Sequence, residues 1–170
     1  MARVFLSLGS NEDREFHITS CLDALNRHFH ILALSSVYES EAVGFSGEPF
    51  YNMVVELETD LDLAALNESL KTIEDENGRR RDVPRFSGRT LDVDILLYDD
   101  IVGKVAGVEL PREEITQNAF VLLPLAEIAA EDIHPVCEQS FAELWQNYDK
   151  AQKLWPIDFS WQGQVISTAK

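Results

Sequence analysis

The stretch Thr90-Leu91-Asp92-Val93-Asp94-Ile95-Leu96-Leu97-Tyr98 decides the fold. Side chains two apart on a strand share a face, so Leu91, Val93, Ile95 and Leu97 point one way and Asp92 and Asp94 the other, about 7 Å apart. A strand buried on one face completes a series that runs back along the chain. Residues 62–77 carry Leu63, Leu66, Leu70 and Ile73 at helical spacing and stop at Gly78, a C′ residue. Before them, 50–58 and 31–38 read as strands, joined by a long loop over 39–49 that contains Gly44, Gly47 and Pro49. Ile18, Cys21, Leu22, Leu25 and Phe29 make 13–29 an amphipathic helix, and 4–8 is a buried strand ended by Gly9-Ser10-Asn11, read as turn and cap. The order β-α-β-β-α-β predicts an α+β, ferredoxin-like core: an antiparallel sheet with both helices packed on one face and long loops at its end.

Past residue 98 the pattern weakens. Asp99-Asp100 and Gly103 suggest a hairpin, 118–125 a short apolar helix or turn, and 141–148 another helix. The last dozen residues, with Phe159 and Trp161, either pack back on the domain or fray, as does Trp155 just before them. No repeat or linker divides the 170 residues, so a single domain over 1–170 is expected.

Fourteen Lys and Arg against thirty Asp and Glu leave a net charge of −16, which argues against nucleic acid or an anionic membrane as a partner. No window approaches the ~18 apolar residues of a membrane span, and the N-terminus has no cleavage-site pattern, so a cytoplasmic location is expected. Cys21 and Cys137 stand alone in sequence, supporting neither a disulfide framework nor a CxxC metal site. The charge is uneven: Arg79, Arg80, Arg81, Arg85 and Arg89 fall within eleven consecutive positions.

Asp92 and Asp94, on one face of a strand, suit a hard cation, since Mg²⁺ takes carboxylate oxygens together with water and substrate phosphates. The bland reading is a solvent-facing strand, although Asp is depleted in strands and a repulsive pair is costly without positive charge nearby. The Arg island is either a phosphate-holding loop or a solvated basic loop paired with Glu74-Asp75-Glu76. Phe50 and Asn52 share a strand face and offer an aromatic plane beside an amide, which suits a flat heteroaromatic ring. Taken singly, Phe50 and Phe120 are core residues and Asn52 a strand-edge polar group.

Together these residues resemble the 6-hydroxymethyl-7,8-dihydropterin pyrophosphokinase family of folate biosynthesis over about residues 4–136. The markers are Leu8-Gly9-Ser10-Asn11, Ser35-Ser36-Val37-Tyr38-Glu39-Ser40, Phe50-Tyr51-Asn52, Ile73-Glu74 before Gly78-Arg79, Arg89-Thr90-Leu91-Asp92-Val93-Asp94-Ile95, and Phe120-Val121-Leu122 before Pro124-Leu125. The resemblance implies a monomer that transfers pyrophosphate from ATP to the pterin hydroxymethyl oxygen and releases AMP. It implies two Mg²⁺ on Asp92 and Asp94, with Arg79, Arg81 and Arg89 near the triphosphate and catalytic alongside the Asp pair. Glu74, Arg81, Arg89 and Ile95 match the nucleotide side, while Ser40, Glu41, Ala42, Val43, Phe50, Asn52 and Phe120 match the pterin pocket.

The chain departs from the family pattern at Arg112 and Glu113, where His followed by Pro or Tyr is usual, and at Asn118, where an Arg is usual. Arg112 is then expected to hold phosphate in place of the lost cation. Ser87-Gly88 replaces a small residue and Pro, and Phe86 replaces a Trp. An alternative expectation is a pterin-binding or regulatory paralogue with weakened ATP use. A metal-dependent phosphohydrolase is disfavoured, because no His or further carboxylate stands nearby in sequence to activate water.

Overall fold

Residues 1–40, 49–78, 90–149 and 151–169 are described by the structure, a computed structural model. Strand β1 (Ala2–Ser10) lies in the sheet between β4 (Phe50–Thr59) and β5 (Asp92–Tyr98) and is antiparallel to both. It runs two residues past the expected end: Gly9 and Ser10 stay in the ladder opposite Asn52 and Tyr51. Gly9 is there for space, because a Cβ on it would lie 3.1 Å from Asn52 Oδ1.

The expected strand over 31–38 is two strands, β2 (His30–Leu34) and β3 (Tyr38–Ser40), both paired with β4. They part at Ser35, whose N–H donates to the Val54 carbonyl at 3.0 Å while its hydroxyl accepts the Val54 N–H at 2.9 Å. A side chain thus takes over one rung of the ladder.

Helices α1 (Arg14–His28) and α2 (Leu63–Glu76) pack on one face, as their periodicity predicts. Their buried Ile18, Cys21, Leu22, Leu25, Leu66 and Leu70 meet Leu6, Leu8, Met53 and Leu57 of the sheet. Asp62 caps α2 by accepting the Ala65 N–H at 2.9 Å, and Gly78 follows the helix at φ +80°, a conformation that favours glycine.

The other face is covered too, which the sequence reading did not foresee. After the hairpin β6 (Gly103–Val105) and β7 (Val108–Leu110), which turns through Ala106 and Gly107 at positive φ, come α3 (Glu114–Gln117), α4 (Ala119–Ile128) and α5 (Phe141–Gln146). Ile115, Val121, Leu122, Leu125 and Phe141 form a second core with Phe5, Val54, Leu96 and Leu97. Leu97 therefore leaves the face of Val93 and Ile95, contrary to strict alternation. Phe5 opposes Leu97 while Leu6 opposes Ile95, so Leu96 is an extra residue that shifts the register.

The C-terminal segment packs back. Strand β8 (Leu154–Pro156) pairs with β3 at the sheet edge, giving the order β5-β1-β4-β3-β8 with β2 also on β4. The hairpin β9 (Phe159–Trp161) and β10 (Gln164–Ser167) buries Phe159 in the first core, and the Ser167 hydroxyl accepts the Val37 N–H at 3.0 Å. Among the described residues, no helix is long and apolar enough to cross a membrane.

His134 supplies a pH test of this packing. Its Nδ1 accepts the N–H groups of Val136 and Cys137 at 3.1 and 3.0 Å, and burial lowers its pKa from the ordinary value. Between the lowered folded pKa and an unfolded value of about 6.5, the unfolded chain binds more protons. This contribution to stability is complete above the unfolded pKa and is lost as pH falls through that window. Melting should therefore occur at lower temperature near pH ~5.5 than near pH ~7.5. The difference should shrink in His134→Asn, whose amide oxygen accepts without titrating; equal pH dependence in both proteins refutes the assignment.

Candidate active site

Beyond the second core, on the same face of the sheet, three strands bring polar residues into one row. Asn52 of β4 is the direct partner of Gly9 in β1, and Gly9 is the partner of Asp92 in β5. Two residues along, Ser7 stands between Val54 and Asp94. Two interstrand steps, roughly 10 Å, separate Asp92 from Asn52, and the floor between them has no side chain at Gly9.

Asn52 is buried and donates through Nδ2 to Ser40 Oγ at 3.0 Å, which turns Oδ1 over Gly9. Phe50 comes over the same glycine, its Cδ1 3.8 Å from the position of a Cβ, so Phe50 and Asn52 share a face as their spacing predicts. Phe120, in the first turn of α4, is partly buried against the second core. Helix α4 is tied to the β3 segment through Glu127, which accepts from Ser36 N–H, Ser36 Oγ and Tyr38 Oη at 3.0, 2.8 and 2.9 Å. Burial, with the Glu127 charge adding to it, raises the Tyr38 pKa and keeps the phenol a donor.

On the other side of Gly9, Asp94 is about 40% exposed and its Oδ1 lies 3.5 Å from Arg112 Nη2; Arg112 also contacts Glu114 at 3.1 Å. The Arg112 N–H donates to the Leu96 carbonyl at 2.9 Å and clips this residue to β5. The cation expected from this departure thus stands beside Asp94. Asn118, another departure, stands at the N-cap position of α4 without a side-chain cap hydrogen bond, and Gln152 Oε1 accepts the Ala119 N–H beside it at 2.7 Å.

Glu74 is 7% exposed, and its Oε2 accepts the N–H of Val93 at 2.8 Å. It therefore grips the strand at the residue between the two aspartates. Burial, and to a lesser degree the Glu74 charge, raises the Cys21 pKa, so Cys21 is an inert core thiol. Ile95, at 3% exposure, belongs to the first core, so its side chain offers a nucleotide no surface and a role on that side falls to its backbone.

Arg79, Arg81 and Arg89, with Arg80 and Arg85, lie outside the described residues, as do Glu41, Ala42, Val43, Phe86, Ser87 and Gly88. Among the described residues, no three or more His, Cys, Asp and Glu form a group that could hold a metal. A carboxylate pair needing water and phosphate oxygens to complete its shell fits Mg²⁺ and not a dedicated protein cage. Sequence reasoning misses Ser7 and Gly9 as floor residues; for Gly9 the signal is Leu8-Gly9-Ser10-Asn11, whose composition also fits a turn, and Ser7 carries none.

A family model described as 7,8-dihydro-6-hydroxymethylpterin-pyrophosphokinase matches residues 5–130. The chain is 35% identical over 146 residues to 2-amino-4-hydroxy-6-hydroxymethyldihydropteridine pyrophosphokinase of Aquifex aeolicus, covering 85% of this chain and 91% of that protein. It is 40% identical over 134 residues to the protein of the same name from Pseudomonas aeruginosa, covering 76% and 82%. Among solved structures it is similar in fold to Plasmodium falciparum HPPK-DHPS with pteroate, at TM-score 0.73 and 14% identity. That match covers 98% of this chain and 47% of the other, so the chain spans about half of the longer polypeptide.

Proposed function

The chain belongs to the 7,8-dihydro-6-hydroxymethylpterin pyrophosphokinase family, and on that premise we propose that it transfers pyrophosphate from ATP to 6-hydroxymethyl-7,8-dihydropterin in folate biosynthesis. The row Asn52, Gly9, Asp92, with Asp94 two residues along, is the observation that carries this reading. It has an amide at one end of a single floor and an acidic pair at the other, which suits a ring beside the first and phosphate beside the second.

The pterin lies over Gly9 between Phe50 and Phe120, its N–H edge read by Asn52 Oδ1, with Ser40 beside it and Glu41, Ala42 and Val43 assigned to the same substrate. Asp92 and Asp94 would hold two Mg²⁺, which when bound supply positive charge against the triphosphate oxygens. Arg79, Arg81, Arg89 and Arg112 hold the remaining oxygens through bidentate forks. Glu74 serves this side by fixing Val93, and Ile95 serves it through its backbone. The hydroxymethyl oxygen bonds to the β-phosphorus, the bond from that phosphorus to the α,β-bridging oxygen breaks, and AMP leaves with that oxygen while the hydroxyl proton passes to water. Little covalent work falls to the protein; alignment and charge neutralisation supply most of the rate. The net charge of −16 argues against nucleic acid or an anionic membrane as a partner, and a cytoplasmic monomer is proposed.

The test is incubation with 6-hydroxymethyl-dihydropterin, Mg²⁺ and ATP. AMP should appear in step with the pterin diphosphate; ADP, or no AMP at high protein concentration, rejects the reading. Asn52→Ala should raise the pterin KM roughly 10- to 100-fold, the range for one lost buried hydrogen bond. The ATP KM should be unchanged, and a matching rise in it would remove Asn52 from the pterin side.

A further inference from the structure

Arg14, the first residue of α1, lies on the opposite face of β4 from Asn52 and reaches both ends of the segment between Ser40 and Pro49. One nitrogen, Nη1, donates to Glu39 Oε2 at 2.6 Å and to the Pro49 carbonyl at 2.9 Å. The guanidinium carbon sits 4.0 Å from the centroid of the Tyr51 ring, and Tyr51 meets Phe159 edge to face at 6.5 Å. The second oxygen of Glu39 is taken by the C-terminal segment: Trp155 Nε1 donates to Glu39 Oε1 at 2.9 Å, and Trp155 is the ladder partner of Glu39 in β8. Arg14 and Glu39 are both mostly buried, with about a fifth of each side chain exposed.

Each anchored residue has a site residue as its chain neighbour. Glu39 precedes Ser40, the hydrogen-bond partner of Asn52, and Pro49 precedes Phe50, which lies over Gly9. Alternation puts these neighbours on the pocket face while the anchors stay on the other. An ion pair so enclosed is worth more than an exposed one, and its planar, stacked guanidinium cannot be replaced by an ammonium without loss.

We propose that Arg14, with Glu39 and Trp155, is a positioning clamp that fixes Ser40 and Phe50 at the pterin pocket from behind, so that the C-terminal segment takes part in substrate selection. This inference rests on the pyrophosphokinase reading. Arg14→Ala should raise the pterin KM roughly tenfold, as expected when a charge-assisted bond that sets alignment is lost, with the ATP KM unchanged. Arg14→Lys should recover part of that loss. Trp155→Phe should raise the pterin KM by a smaller factor, and the double variant Arg14→Ala with Trp155→Phe should be less than multiplicative, because both act through Glu39. A purely structural role would lower the melting temperature of Arg14→Ala but leave pterin KM intact well below melting, and that result overturns the clamp. Wild-type protein that releases no AMP defeats the activity itself, whereas active wild type with unaltered Arg14→Ala kinetics defeats only the clamp.

Discussion

Asp94→Ala is expected to cut AMP formation by at least about 10³-fold, on the scale of losing a principal electrostatic group at a reacting phosphoryl, while the protein stays folded. The side chain is about 40% exposed, and among the described residues Arg112, itself about a third exposed, lies 3.5 Å away. Pairs of that kind are worth roughly 0–1 kcal/mol, and removing Asp94 also relieves repulsion with Asp92 two residues back. Thermal melts without metal should therefore move little. Asp94→Asn keeps the shape and loses the charge, and it should be nearly as inactive. If Asp94→Ala instead unfolds the protein while its folded fraction keeps normal specific activity, the phosphate-side assignment of this strand fails.

Glu74→Ala is expected to harm both the fold and the reaction. It leaves the Val93 N–H without the carboxylate that accepts it at 2.8 Å, and an orphaned buried donor costs about 1–3 kcal/mol. Asp92 and Asp94 flank that residue, so a shift of β5 moves both carboxylates, and misplacement by an ångström can cost on the order of 10²-fold in rate. Glu74→Gln retains an acceptor oxygen and should recover most of both losses. Loss of ATP affinity at wild-type melting temperature would instead make Glu74 a direct nucleotide contact.

The elements governed by local periodicity were legible. Helices α1 and α2 bury the residues that their spacing marks, and β5 presents Asp92 and Asp94 away from Val93 and Ile95. Features set by a distant partner were not. Gly9 looks like a turn until Asn52 is placed across from it; Leu97 changes face because β1 imposes a slipped register; and β2 parts from β3 because Ser35 takes a rung from Val54. The packed C-terminal segment depends on contacts more than a hundred residues apart in sequence, such as Ser167 with Val37 and Trp155 with Glu39. Arg112 marks the middle ground: the resemblance, with a cation missing at Asn118, suggested a phosphate-side role, but only the fold sets it beside Asp94.

One consequence of the two cores concerns how the floor of the site comes apart. Strand β1 contributes Leu6 and Leu8 to one core and Phe5 to the other, is paired along both edges, and also carries Ser7 and Gly9. Local opening frees the segments with the fewest buried contacts first, and β1 is paired on both sides from Val4 to Gly9. The floor of the pocket is thus expected to be among the slowest-exchanging parts of the molecule, its amides opening with the domain and not ahead of it.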